Sequence, residues 1–151
     1  MIKKHLMHGL SLLEVLLSLS IIALILVMAT RYYFIASHNH KVNTTITQIG
    51  GLIAAAHNYK GINANFDAGT DIASLADAGQ LSNFPGFDGR SHLSTLWGGV
   101  ISFSTQAAMG IIRLSLPDTA TCQTILRAFP ADDNNNIDSR CDGSNFTYSF
   151  P

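Results

Sequence analysis

The feature that most constrains this chain is an apolar run at residues 10–29, LSLLEVLLSLSIIALILVMA, in which Glu14 is the one ionisable side chain. As a helix rising about 1.5 Å per residue, such a run is roughly 30 Å long, the thickness of a bilayer's hydrocarbon core. Lys3 and Lys4 precede it, and no acidic residue stands ahead of Glu14. A basic flank of this kind keeps the short N-terminus in the cytoplasm and sends residue 31 onward across the membrane, with Arg31 opposing that orientation mildly. Over 151 residues the formal net charge is −1, so there is no basic field to attract nucleic acid and no acidic tail. The length suits one compact domain with an appended segment.

Three readings compete for a carboxylate in such a run. A secretory signal peptide would use the small residues of VMAT, 27–30, as its cleavage site, but an early carboxylate is unfavourable in its apolar core and the run is long for that role. A plain signal anchor would let Glu14 snorkel to the membrane surface. The third reading uses the local residues: Gly9, then LSLLEV at 10–15, after a short leader with two lysines. This pattern resembles the type IV prepilin signature, in which a basic leader ends in Gly, a hydrophobic residue follows, and Glu is fifth in the mature chain.

The resemblance implies cleavage after Gly9 by a prepilin peptidase, with Leu10, in place of the commoner Phe, becoming the mature and usually N-methylated N-terminus. It also implies that Glu14 of one subunit neutralises the new amine of a neighbour as helices pack into a filament. A buried charge is costly alone and tolerable when paired, so this pair would penalise misregistered subunits. The partners implied are other copies or related pilins, the peptidase, an inner-membrane assembly platform and, before assembly, membrane lipid. The precursor would cross the inner membrane once, with its head outside the cytoplasm, and then join a surface pilus. The expected division is a leader at 1–9, a membrane and filament-core helix at 10–30, and a head at 31–151.

Past Thr30 the apolar residues keep a helical period, with Val42, Ile46, Ile49, Ile53, Ala56 and Tyr59 on one face. The helix is expected to reach about Lys60 and stop at Gly61, with Gly50 and Gly51 allowing a sheet to pack closely. DIASLADAG, 71–79, predicts a short helix capped by Asp71 and ended by Gly79. GGVISFST and GIIRLSL predict an antiparallel hairpin with Ile101, Phe103, Ile112, Leu114 and Leu116 at period two. PDTATCQTILRAF, 117–129, predicts a helix starting near Pro117 or Asp118, and NFTYSF a closing strand. The fold class is therefore α+β: a long N-terminal helical spine, apolar in its first half, packed against a small antiparallel sheet, as in type IV pilins.

Cys122 and Cys141 are the only cysteines. Outside the cytoplasm they are expected to pair, closing a loop around the polar stretch DDNNNIDSR, which resembles the disulfide-bounded C-terminal region of type IV pilins. LWGGVISF around Trp97 resembles type IVb pilins, with Trp97 as a core anchor. His38 and His40 are two apart and cannot share a helix face, and His57 is too distant to join them, so no metal site is expected there. The oxygen-rich stretch 132–138 lacks the glycine and final Glu of the common calcium loop and is expected to be a solvated surface loop. Asn145 opens the glycosylation pattern NFT, which carries no meaning in a prokaryotic export substrate.

No nucleophile turn, phosphate-cradling loop or activated cysteine appears, so neither catalysis nor a cofactor is expected. The expected function is that of a structural pilus subunit. The alternatives are a type II secretion pseudopilin, which calcium dependence of the head's stability would favour, and a monomeric membrane-anchored binding module.

Overall fold

A computed structural model describes residues 12–63 and 66–151 of the chain. Contacts divide it into a unit ending at His38 and a second from Asn39 to Pro151. Helix α1 (Leu12–Asn63) supplies all described residues of the first unit and opens the second. In the second unit its buried positions are Val42, Thr45, Gln48, Ile49, Leu52, Ala55 and Ala56; of the expected face Val42, Ile49 and Ala56 are buried, Ile46, Ile53 and Tyr59 pack partly buried beside them, and Thr45, Gln48, Leu52 and Ala55 widen it.

Gly61 does not stop the helix. A terminating glycine adopts the left-handed conformation, and Gly61 is not among the positive-φ glycines; α1 continues to Asn63. Gly51 does permit a close approach, but by a loop rather than the sheet: a Cβ there would lie 2.9 Å from the ring of Phe84.

Helix α2 (Ile72–Asp77) begins and ends as its sequence dictates. The Asp71 carboxylate accepts the Ser74 amide at 2.9 Å, and the Ser74 hydroxyl accepts the Asp71 amide at 3.4 Å, forming a capping box. At the other end Gly79 has φ of 72°, with its amide donating to Ala76 and the Gln80 amide donating to Leu75. The Ser74 amide draws the Asp71 carboxyl below its ordinary 3.8.

Five antiparallel strands follow: β1 (Leu93–Ser94), β2 (Val100–Gln106), β3 (Met109–Ser115), β4 (Asp138–Asp142) and β5 (Asn145–Phe150), in the order β1-β2-β3-β5-β4. Cross-strand register puts Ile101, Leu114, Phe146 and Cys141 in one row and Phe103, Ile112, Tyr148 and Ser139 in the next. These rows face the core, while the row Ser102, Arg113, Thr147 and Arg140 lies on the opposite face. The expected alternation of the hairpin is therefore present. The strand NFTYSF closes the sequence but not the sheet, since β5 is interior.

Aromatic rings fill the core end of this sheet. Phe150 lies 6.2 Å from Phe66 and 5.8 Å from Tyr148, which is 5.6 Å from Phe129. Gly110 makes the room, because a Cβ there would lie 2.8 Å from the Phe150 ring. Burial pushes the Tyr148 hydroxyl's pKa up. Helix α3 (Thr119–Ala128) is capped by Asp118, whose carboxylate accepts the Thr121 amide at 2.7 Å, and buries Cys122 and Ile125.

The stretch DDNNNIDSR is not one solvated loop. Asp132 caps a 3₁₀ turn (Asp133–Asn135), accepting the Asn134 amide at 3.0 Å, and the chain then enters β4. A strand went unread there because only Ser139 and Cys141 point inward, which leaves no hydrophobic alternation.

Between β2 and β3, Ala107 and Ala108 form a two-residue turn with φ of 51° and 65°. Such a turn favours Asn-Gly, because a Cβ in the left-handed region costs roughly 1–2 kcal/mol per residue. The double variant Ala107→Asn, Ala108→Gly is expected to stabilise the protein by about 1 kcal/mol, read as a raised denaturant midpoint; a lowered midpoint would contradict the turn geometry. Asp71→Ala is expected to cost about 1 kcal/mol at neutral pH. Because the folded carboxyl lies below its ordinary 3.8, its stabilisation is full above that value and fades as pH falls through the lowered one. The difference between wild type and variant should therefore shrink in acid.

Candidate functional site

Two features of the chain stand out as candidates for function: an uncovered apolar segment in the first unit and a covalent clamp in the second. The segment is the first part of α1. Its most apolar 18-residue window has mean hydropathy 2.7, and none of that window is buried. By length and composition this helix can cross a membrane. Leucines, isoleucines and valines are exposed all the way round, from Leu12 to Val27, with no polar face.

The hydroxyls of this segment are satisfied by the helix itself. Ser18 Oγ donates to the Val15 carbonyl at 2.9 Å, Ser20 Oγ to Leu17 at 2.7 Å, and Thr30 Oγ1 to Leu26 at 2.8 Å. Folding back in this way lets hydroxyls enter an environment without water.

Glu14 lies in the first turn of α1, where a negative charge opposes the positive end of the helix dipole. It is exposed and is the one acidic residue within α1. Gly9 and Leu10, the expected cleavage pair, lie outside the described residues.

The apolar run ends in a feature the sequence reading passed over. Arg31, Tyr32, Tyr33 and Phe34 follow one another directly after it, and all four are exposed. The signal was available in the sequence, as three consecutive aromatic residues beside a membrane-length run.

In the second unit, Cys122 of α3 and Cys141 of β4 form the disulfide, with Cα atoms 6.1 Å apart. The expected pair is thus brought together. It joins helix to edge strand, so the polar stretch between them is held at both ends. Trp97 is half-buried against the core, in the turn where the Thr95 amide donates to the Gly99 carbonyl at 2.8 Å.

Elsewhere in this unit the polar chemistry serves the backbone. Asp88 Oδ1 accepts amides from Arg90, Ser91 and His92 at 2.8, 3.0 and 3.0 Å, and these bonds, that from His92 foremost, hold its carboxyl below the ordinary 3.8. Gln48 Nε2 donates to the carbonyls of Pro85 at 2.8 Å and Ser94 at 3.0 Å, fastening α1 to the loop before β1 and to β1 itself. Among the described residues, no three His, Cys, Asp or Glu side chains gather as a metal site.

Closing a loop of 19 residues' separation removes denatured-state freedom. Cys122→Ser with Cys141→Ser is therefore expected to destabilise the head by about 3 kcal/mol, measured by urea unfolding against the oxidised wild type. A shift near zero would mean that β4 is held by its other contacts alone. No protein-family model matches the chain, and neither a curated protein nor a solved structure matches it. Its elements, an apolar N-terminal helix and a disulfide-bearing antiparallel sheet, are compatible with a pilin-like fold.

Proposed function

We propose that the protein is a structural subunit of a type IV pilus, made as a membrane-anchored precursor, cut after Gly9 and assembled through the first part of α1. The observation that carries this reading is the uncovered apolar surface of α1 with a lone carboxylate at its start. Water does not tolerate such a surface. Burying it gains about 25 cal/mol per Å², whether the cover is lipid or other helices. In lipid the hydrophobic gain between helices vanishes, and outside lipid it returns in full, so one surface serves first as anchor and then as filament core.

Glu14 gives this surface a register. Leu10 would carry the new α-amino group, and a subunit sliding out of register would leave both charges buried and unpaired. The sequence spacing of Gly9, Leu10 and Glu14 supports this assignment. The disulfide supports a head that folds outside the cytoplasm. The role is structural, and the chain is the peptidase's substrate rather than an enzyme.

Mass spectrometry of sheared surface filaments tests the reading. The recovered chain should begin at Leu10, with or without a methyl group, and Glu14→Ala should be inserted and cleaved normally while filament yield falls by roughly tenfold, equivalent to about 1.4 kcal/mol. A mature chain that keeps its lysine-bearing leader, or normal filament yield from Glu14→Ala, would refute it.

A further inference from the structure

We propose that Arg31, Tyr32, Tyr33 and Phe34 form a depth-setting girdle that seats α1 at one polar boundary of a phospholipid bilayer and so brings Glu14 to the opposite boundary. This inference rests on the membrane anchorage proposed above and adds to it the residues that fix the depth. Tyr32, Tyr33 and Phe34 are 74%, 70% and 66% exposed. Successive residues leave a helix about 100° apart, so the three side chains start from different sides of the axis, although the Tyr33 and Phe34 rings lean together edge to face with centroids 6.0 Å apart. A groove or a single partner helix covers one face, and would leave at least one ring in water. The headgroup region surrounds the helix and accommodates all three, with tyrosine hydroxyls toward water and ring bodies toward the acyl chains.

The neighbouring residues agree with this placement. On the N-terminal side lies the apolar run, with its Ser18, Ser20 and Thr30 hydroxyls satisfied within the helix. On the C-terminal side the sequence turns polar within a few residues, at SHNHK, 37–41. Arg31 adds a cation with a long apolar stem, suited to reaching phosphate groups from just inside the boundary.

Distance then links girdle and carboxylate. From residue 14 to residue 31 the helix rises about 26 Å, against a hydrocarbon core of about 30 Å. With the girdle at one boundary, Glu14 lies near the other, where its carboxylate can reach headgroups and water. The precursor thereby keeps its only acidic side chain in this helix out of the bilayer centre while that side chain waits for a partner.

The two cysteines of the chain are joined to each other, so a cysteine placed in α1 is a unique thiol. Full-length Ala23→Cys and Ala36→Cys chains, reconstituted in vesicles of phosphatidylcholine with phosphatidylglycerol, are to be treated with a membrane-impermeant maleimide. Ala36→Cys should label and Ala23→Cys should not. Adding Tyr32→Leu, Tyr33→Leu and Phe34→Leu extends the apolar run and should draw position 36 inward, reducing its labelling to the rate at Ala23→Cys. Adding Tyr32→Trp and Tyr33→Trp instead should leave it labelled. If the three leucines leave labelling at position 36 unchanged, or if position 36 is already protected without them, the girdle is overturned and the span stands. If Ala23→Cys labels as fast as Ala36→Cys, there is no span, and the anchorage fails together with the girdle.

Discussion

The exclusion of water from apolar surface acts on helix α1 in two ways. From Val42 to Ala56 the apolar residues form a stripe, and the chain covers that stripe itself with Leu75, Leu93, Ile112 and the aromatic end of the sheet. From Leu12 to Val27 they go all the way round, and the described residues leave them open. One helix therefore carries two different demands, one met within the fold and one that must be met by something else. The proposed membrane and filament roles are two answers to the second demand, and the choice between them depends on where the chain is rather than on any change in its sequence.

Polar satisfaction marks the same division. In the first unit the hydroxyls of Ser18, Ser20 and Thr30 bond only to the helix that carries them, which asks nothing of the surroundings. In the second, Gln48 reaches across to Pro85 and Ser94, and Thr105 Oγ1 donates to the Asp67 carbonyl at 2.8 Å, so that side chains fasten one element to another. Glu14 belongs to neither pattern. It lies at the helix start, where the dipole favours it but where no side chain among the described residues pairs with it in an ion bridge.

Much of the fold was legible because local chemistry and long-range packing agree. Asp71 and Asp118 announce helix starts by offering a carboxylate to an amide three residues on, and the hairpin announces itself by alternation that matches its buried face. The elements that escaped reading lacked a periodic signal. Strand β1 has only two residues, and β4 reads DSRCD, polar because an edge strand needs few inward apolar side chains when a cysteine bond holds it. Gly61 looked like a stop, but a glycine ends a helix where the backbone turns left-handed, and this one does not. Of the candidate site, Cys122 and Cys141 were legible from their number together with the expected placement of the head outside the cytoplasm. The aromatic residues after Thr30 escaped because they are adjacent in the chain, so they form no stripe at helical spacing for a period to reveal.

The order of the sheet carries a consequence for how the head comes into being. Strand β4 precedes β5 in the sequence but reaches the rest of the sheet only through it, since β5 lies between β3 and β4. During synthesis or export, which deliver the chain from its N-terminus, β4 therefore emerges before the neighbour it needs. For that interval the bond to Cys122 can tether it beside α3 while Phe146, Tyr148 and Phe150 have yet to arrive. The last strand of the sequence thus takes an interior place in the sheet, and a Cys122–Cys141 bond formed beforehand would already hold β4 close to where that strand must pair.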